Sequence, residues 1–185
     1  MIPSSLRSFT LRPASGIAFR RRIDHRTSRY ESEVNIIMKI EEFLQPANVV
    51  VDLRASDKEA ALRELAQRAA SELHGDTQAL LKALRERESL GSTGMGDGIA
   101  IPHIRLEGID RPFGILARLK RPIEFDAVDG RPVDVLFLLV LPLKAKGGQL
   151  NVLACVARRL RDEETVKAIR HASDAEAAYH TIVSQ

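Results

Sequence analysis

His103 is the residue whose type and position are best suited to chemistry. It follows Pro102 directly, at the end of the short apolar run Ile99–Ile101. Proline has a fixed φ and holds the preceding residue extended, so the imidazole is presented from a stiff backbone. A neutral imidazole nitrogen is a nucleophile near pH 7. The sequence has neither a His-x₃-His pair nor a cysteine cluster, so a metal-ligand role is not indicated.

The segment before His103, residues 91–98, is rich in glycine and hydroxyl side chains (Gly-Ser-Thr-Gly-Met-Gly-Asp-Gly). Backbone N–H groups of such a loop can converge on an anion, and we predict phosphate-binding roles for Ser92, Thr93, Gly94 and Gly96. A simple surface turn is the alternative. The segment lacks the Gly-Lys-Ser/Thr of a nucleotide-binding P-loop, and its glycine spacing is not that of a dinucleotide-binding turn.

An arginine near the loop would complete an anion site, because a guanidinium donates paired hydrogen bonds to phosphate oxygens. Arg87, at the end of the helix that leads into the loop, is the first candidate, and Arg105 is the second. The alternative for Arg87 is an ordinary solvated charge on a helix.

The charge of the chain is concentrated at its N-terminus. The 185 residues carry a net charge of +3. Residues 1–37 contain seven arginines and three acidic residues, a net +4, which leaves 21 basic and 22 acidic residues in the remainder, a net −1. Residues 1–37 therefore read as a disordered tail, a targeting peptide or an extension created by a start codon placed upstream of Met38, and we predict the folded domain over residues 38–185.

Composition also narrows the class of partner and compartment. The aromatic content is 4% with no tryptophan, which argues against a stacking surface for single-stranded nucleic acid, and the predicted domain is not basic. We therefore expect no nucleic-acid partner. One cysteine, Cys155, excludes a disulfide framework and favours a reducing cytoplasm. No apolar run approaches the roughly 18 residues of a membrane span.

Hydrophobic periodicity predicts strands that alternate with helices. A Ser56–Glu59 capping box should begin the first long helix, and Ser173–Glu176 should begin the last. We predict a helical turn over 40–44 ended by Pro46, strands over 49–53, 99–101, 113–119 and 133–141, and helices over 57–74, 76–88, 149–160, 163–170 and 173–183. This order predicts an α/β fold: a single domain with a mixed, mostly parallel β-sheet sandwiched between helices.

Two segments resemble the active-site signature of a known family. Arg87–Gly94 and Gly98–His103 are similar to the signature of enzyme IIA of the mannitol/fructose class (type 2) in the bacterial phosphoenolpyruvate-dependent phosphotransferase system. Pro122–Asp134 and the strand that follows extend the resemblance, which covers about residues 38–183. Within this class the chain looks most like the stand-alone nitrogen-regulatory enzymes IIA.

The resemblance implies roles for residues and for partners. His103 corresponds to the phosphorylated histidine, through its Nε2 atom, and Arg87 to the active-site arginine. The donor would be an HPr-like phosphocarrier protein charged by an enzyme I, with no metal or other cofactor. A regulatory phosphocarrier would act on targets such as sensor kinases or potassium-transport regulators. The alternatives are a sugar-specific component that passes phosphate to a permease IIB domain, and a binding module that is never phosphorylated.

The sequence departs from the family pattern at two places. Gln149 and Asn151 stand where the family often has a second active-site histidine, and Ile104 replaces the glycine that usually follows the active histidine. We expect the amides of Gln149 and Asn151 to hydrogen-bond the phosphoryl group or the ring of His103, but an amide cannot carry a proton or a positive charge. Fast onward transfer is therefore less expected than phosphate acceptance.

Overall fold

The computed structural model describes residues 38–144 and 149–184. The predicted N-terminal extension, residues 1–37, lies outside the described residues. After a 3₁₀ turn over Ile40–Glu42, the elements are β1 Leu44–Leu53, α1 Lys58–Leu73, α2 Thr77–Ser89, β2 Gly94–Gly96, β3 Ile99–Ala100, β4 His103–Leu106, β5 Phe113–Ile123, β6 Val133–Pro142, α3 Gln149–Leu160, α4 Glu163–His171 and α5 Ala175–Val183. No helix in the described ranges is long and apolar enough to cross a membrane.

The strands form one mixed sheet in the order β1-β5-β6-β3-β2, with β4 also paired to β6. Strand β6 is antiparallel to β5 and parallel to both β3 and β4. Strand β1 is parallel to β5, and β2 is antiparallel to β3. The predicted mixed, mostly parallel sheet is therefore confirmed.

Helices cover both faces of the sheet, and β6 lies between two apolar clusters. Alternate residues of β6 contribute to each cluster: Leu136, Leu138 and Val140 pack with α1 and α2, while Phe137 and Leu139 pack with α3, α4 and α5. All five side chains have no measurable solvent exposure. Burial on both faces explains the nearly continuous apolar run of this strand.

The helix starts differ from the predicted capping boxes by one residue. Asp57 caps α1 by accepting a hydrogen bond from the Ala60 amide at 2.8 Å, and Asp174 caps α5 in the same way. The predicted cap Ser56 instead donates its hydroxyl to Asp57 at 2.7 Å, and Ser173 likewise donates to Asp174. Aspartate and serine are equally good caps. In an adjacent Ser-Asp pair, the backbone conformation therefore determines which of the two residues caps the helix.

Two other predictions needed correction. A helical turn was expected over 40–44, ended by Pro46, and the structure has a 3₁₀ turn over Ile40–Glu42. Strand β1, however, begins at Leu44 and contains Pro46. Because β1 is an edge strand, a proline without an N–H can be accommodated there. The structure also contains β4, which begins at His103 itself and was not predicted because a run of four residues carries little periodicity.

Candidate active site

His103 is the first residue of β4, in register with Leu139 of β6. Its Nδ1 atom lies 2.9 Å from the carbonyl oxygen of Ile101. A carbonyl oxygen can only accept a hydrogen bond, so Nδ1 carries the proton and Nε2 carries the lone pair. The half-buried ring is thereby held in one tautomer with Nε2 as its nucleophilic atom.

Arg87 contacts that same atom. The Arg87 Nε–H donates to His103 Nε2 at 3.0 Å, and Nη1 donates to the Gly91 carbonyl at 2.9 Å. The second bond holds the guanidinium against the chain just after α2. The structure thus brings together the two residues that the sequence singled out as acceptor and anion-binding arginine.

The surroundings favour the neutral form of His103. Burial is the largest cause that lowers the pKa of His103 below its ordinary value of 6.5. The hydrogen bond to Ile101 opposes this shift, and the positive charge of Arg87 adds to it. A neutral imidazole keeps the Nε2 lone pair available for nucleophilic attack at neutral pH.

His103 and Arg87 line an open cleft of about 700 Å³. Arg105 also lines it, which agrees with its place as the second candidate arginine. Leu90, which is 85% exposed, and Leu153 from α3 also line it. The cleft therefore has apolar as well as charged side chains in its lining.

A buried carboxylate next to Arg87 holds the following segment in place. Glu88 accepts hydrogen bonds from the Thr93 amide at 2.8 Å and the Thr93 hydroxyl at 2.6 Å. Lys58 at the start of α1 pairs with the same carboxylate at 2.9 Å. Sequence reasoning missed Glu88, because a glutamate on an amphipathic helix is usually solvated and no local pattern marks it as buried.

The predicted phosphate-binding residues of the 91–98 segment serve structural roles here. The Ser92 hydroxyl donates to the Phe125 carbonyl at 2.8 Å and accepts from the Gly94 amide at 3.1 Å, while Thr93 is bound to Glu88. Gly94–Gly96 forms β2 of a hairpin with β3, so this part is not an open loop. Ser92, Thr93 and Gly94 do not line the His103 cleft. Their phosphate-binding role stays a prediction.

The other predicted phosphate ligands also lie outside the cleft lining. Gly96 faces Asp129 and borders a different cleft, beside Arg131 and Arg170. Asn151 is exposed on α3 and is not part of the His103 cleft lining. The side chain of Gln149 lies outside the described residues. Among the described residues, no group of three His, Cys, Asp or Glu side chains could hold a metal ion.

Comparison with known proteins defines the class to which this fold and site belong. The family model described as "Phosphoenolpyruvate-dependent sugar phosphotransferase system, EIIA 2" matches residues 42–185. The chain therefore belongs to this family of phosphotransferase-system components. The resemblance inferred from the two sequence segments is confirmed.

Within the family, the chain is similar to nitrogen regulatory proteins. It is 41% identical over 145 residues to the one from Bradyrhizobium diazoefficiens, which covers 78% of this chain and 95% of that protein. It is 39% identical to the Escherichia coli K12 protein over 70% of this chain and 80% of that one. The crystal structure of the nitrogen regulatory protein IIA-Ntr from Neisseria meningitidis superposes with a TM-score of 0.73 at 32% identity, covering 77% of this chain and 98% of that one.

Proposed function

We propose that His103 is a phosphoryl acceptor, charged by an HPr-like phosphocarrier protein in the cytoplasm. The observation that carries the proposal is the pair of hydrogen bonds on the imidazole, because they leave the lone pair of Nε2 directed at a guanidinium in an open cleft. A nucleophile next to a planar cation is the arrangement that a phosphoryl group requires.

The transfer conserves atoms and charge between two imidazoles. The lone pair of His103 Nε2 attacks the phosphorus of the donor phosphohistidine as the donor N–P bond breaks. The electron pair of that bond returns to the donor imidazole. His103 keeps its Nδ1 proton, and the hydrogen bond to the Ile101 carbonyl stabilises the positive charge that develops on the ring. Arg87, released from Nε2, is placed to donate to the phosphoryl oxygens.

A regulatory role is the better-supported use of the phosphorylated state. Asn151 occupies a position where the family often has a second histidine, and its amide cannot shuttle a proton. The relatives that this chain matches over 80% or more of their length are named nitrogen regulatory proteins. Phosphorylation would add a dianion to the cleft and change which proteins bind there, with sensor kinases and potassium-transport regulators as the expected kinds of target.

The test is intact-mass analysis after incubation with phosphoenolpyruvate, enzyme I and an HPr-like carrier. We expect the wild-type protein to gain one phosphoryl group and His103→Ala to gain none. His74→Ala, at the end of α1, is the matched control and should be phosphorylated like the wild type. If the wild type gains no mass, or if His103→Ala does, the proposal is wrong.

Arg87→Gln separates the role of the arginine from that of the acceptor. Loss of one preorganised donor to transition-state charge typically lowers a rate by roughly 10²-fold, and we expect a slower transfer of this order with the same final mass. Quenched-flow measurement of phosphoprotein formation provides the rate. An unchanged rate would show that Arg87 does not stabilise the transferred group.

A further inference from the structure

A second cleft is lined by several cationic side chains. This basic cleft has a volume of about 640 Å³ and lies between the start of α1 and the ends of β1 and β5. It is lined by Arg54, Ala55, Ser56, Ala60, Arg63, Glu64, Lys120 and Arg121. Neither the phosphoryl-acceptor proposal nor the family comparison assigns it a role.

The strand register brings the cations together. Leu53, the last residue of β1, is paired with Leu119 of the parallel strand β5. Arg54, just after β1, and Lys120 of β5 therefore follow a paired position and line the same cleft. Arg121 follows along β5. Like charges that share one cleft repel each other. An anion bound between them would remove this repulsion.

One carboxylate, Glu64, also lines the cleft, but its ion pair is with Arg68, at 4.0 Å. Among the described residues, no carboxylate lies within ion-pair distance of the charged groups of Arg54, Lys120 or Arg121. Arg63 is different, because it pairs with Glu59 at 3.1 Å. Since residues 38–185 carry a net charge of −1, the concentration of positive charge here is local.

We infer that the basic cleft binds a multivalent phosphate ligand of nucleotide size. Its volume lies in the range of small-molecule sites, about 300–1,000 Å³. Arginine guanidinium groups match phosphate oxygens in geometry and charge. Ala55 and Ala60 give part of the cleft a lining of small side chains.

The ligand would bind well away from His103. Gly114 of β5 and His103 are both in register with Leu139 of β6. Lys120 lies six positions after Gly114 on β5, which corresponds to roughly 20 Å along the strand. The two clefts have no lining residue in common. The inference therefore does not depend on phosphorylation of His103.

The test is calorimetric titration of the full-length protein with inorganic phosphate, pyrophosphate and ATP. We expect one saturable site that binds pyrophosphate and ATP more tightly than inorganic phosphate. Combined Arg54→Gln, Lys120→Gln and Arg121→Gln substitutions should weaken ATP binding at least ~10-fold, since each removes a charge-assisted hydrogen bond. The His103→Ala variant should bind ATP like the wild type.

A matched triple variant controls for net charge. Arg111→Gln, Lys144→Gln and Arg161→Gln remove three exposed cations that lie outside both clefts, and this variant should bind ATP like the wild type. All variants keep residues 1–37, so the arginines there contribute equally to each. Melting temperatures and circular dichroism verify that both triple variants are folded.

Three results would overturn the inference. The first is the absence of saturable binding of pyrophosphate or ATP at ligand concentrations up to about 10 mM, since even a site with a millimolar dissociation constant would be largely filled at that concentration. The second is an equal loss of affinity in the two triple variants. The third is displacement of ATP by a poly-glutamate peptide that binds more tightly, since this would identify the cleft as a surface for an acidic protein.

Discussion

At the scale of single residues, the protonation of His103 is set by its neighbours. Burial and the cation of Arg87 both disfavour the imidazolium form, and the first of these is the larger cause. The pKa of His103 is thereby lowered from 6.5. A larger fraction of His103 than of an ordinary histidine is therefore neutral in mildly acidic solution.

We expect the acid limb of the pH profile for phosphoryl acceptance to have its midpoint below pH 6.5. The lowered pKa also makes stability depend on pH. As the pH falls below 6.5, the unfolded state takes up the proton before the folded state does, so the contribution of His103 to the free energy of unfolding decreases until the pH passes the folded-state pKa. NMR titration of the ring resonances measures the midpoint directly. Arg87→Gln should move it upward, and a wild-type midpoint at or above 6.5 would contradict the assignment.

Glu88 is the second residue for which the structure makes a sharp prediction. Its carboxylate accepts two hydrogen bonds from Thr93 and pairs with Lys58, and its side chain is 7% exposed. We expect Glu88→Gln to lower the free energy of unfolding by roughly 2–3 kcal/mol, because the amide has one acceptor oxygen where the carboxylate has two and because Lys58 loses a buried anionic partner. Urea denaturation measures the change.

Glu86 provides the control for Glu88. It lies on the same helix with 68% of its side chain exposed, in a long ion pair with Lys82. Glu86→Gln should change the unfolding free energy by less than about 0.5 kcal/mol. Equal effects of the two substitutions would mean that the Glu88 contacts contribute nothing to stability.

At the scale of elements, the β2–β3 hairpin depends on Gly98. This glycine has a φ of +77°, and an added Cβ would collide with the Arg170 guanidinium and lie 2.9 Å from Asp134 Oδ1. Arg170 in turn bridges α4 to the hairpin, since it pairs with Asp134 and donates to the Asp97 carbonyl. Strand β3, which begins just after Gly98 and ends two residues before Pro102, is thus anchored to α4.

We expect Gly98→Ala to lower the unfolding free energy by more than Gly108→Ala does. Gly108 also has a positive φ, +82°, but an added Cβ there would meet no atom within 4 Å. Gly108→Ala therefore reports backbone strain alone, about 1–2 kcal/mol, and the excess for Gly98→Ala reports the collision with Arg170. Equal losses in thermal or urea denaturation would show that the hairpin tolerates the added methyl group.

The elements also show what a sequence can and cannot predict. The apolar run of β6 and the spacing of leucines in α1 and α2 identified those elements, because burial on one or two faces leaves a periodic pattern. Strand β4 and the position of Pro46 within β1 were missed, since both are determined by pairing with a distant strand. His103 and Arg87 were found from spacing, but Glu88 and Lys58 meet only after α1 folds against α2.

At the scale of the whole molecule, the β-sheet is the framework that positions the sites. Strand β6 is paired along both edges and covered on both faces. Its position between β5 and two short parallel strands could not be predicted from its sequence, because an apolar strand specifies burial and not its neighbours.

We expect amide hydrogen exchange to be slowest in β6 over residues 135–140. These amides lie in the sheet interior, and their exposure requires global unfolding. The edge strand β1 should exchange faster. Exchange measured by mass spectrometry after pepsin digestion resolves the two segments, and slower exchange in β1 than in β6 would contradict this order.

The hydrogen bond from Arg87 to His103 Nε2 has a consequence for how the resting protein differs from the proposed phosphorylated one. The lone pair that accepts this bond is the one that would form the bond to phosphorus, so the two partners of Nε2 exclude each other. The phosphoryl group must therefore displace the guanidinium from Nε2. The local charge then changes from that of the Arg87 cation alone to that of the cation next to a phosphoryl dianion. Arg87 would thus occupy one of two discrete positions, and a binding partner could distinguish the two states from the orientation of a single side chain.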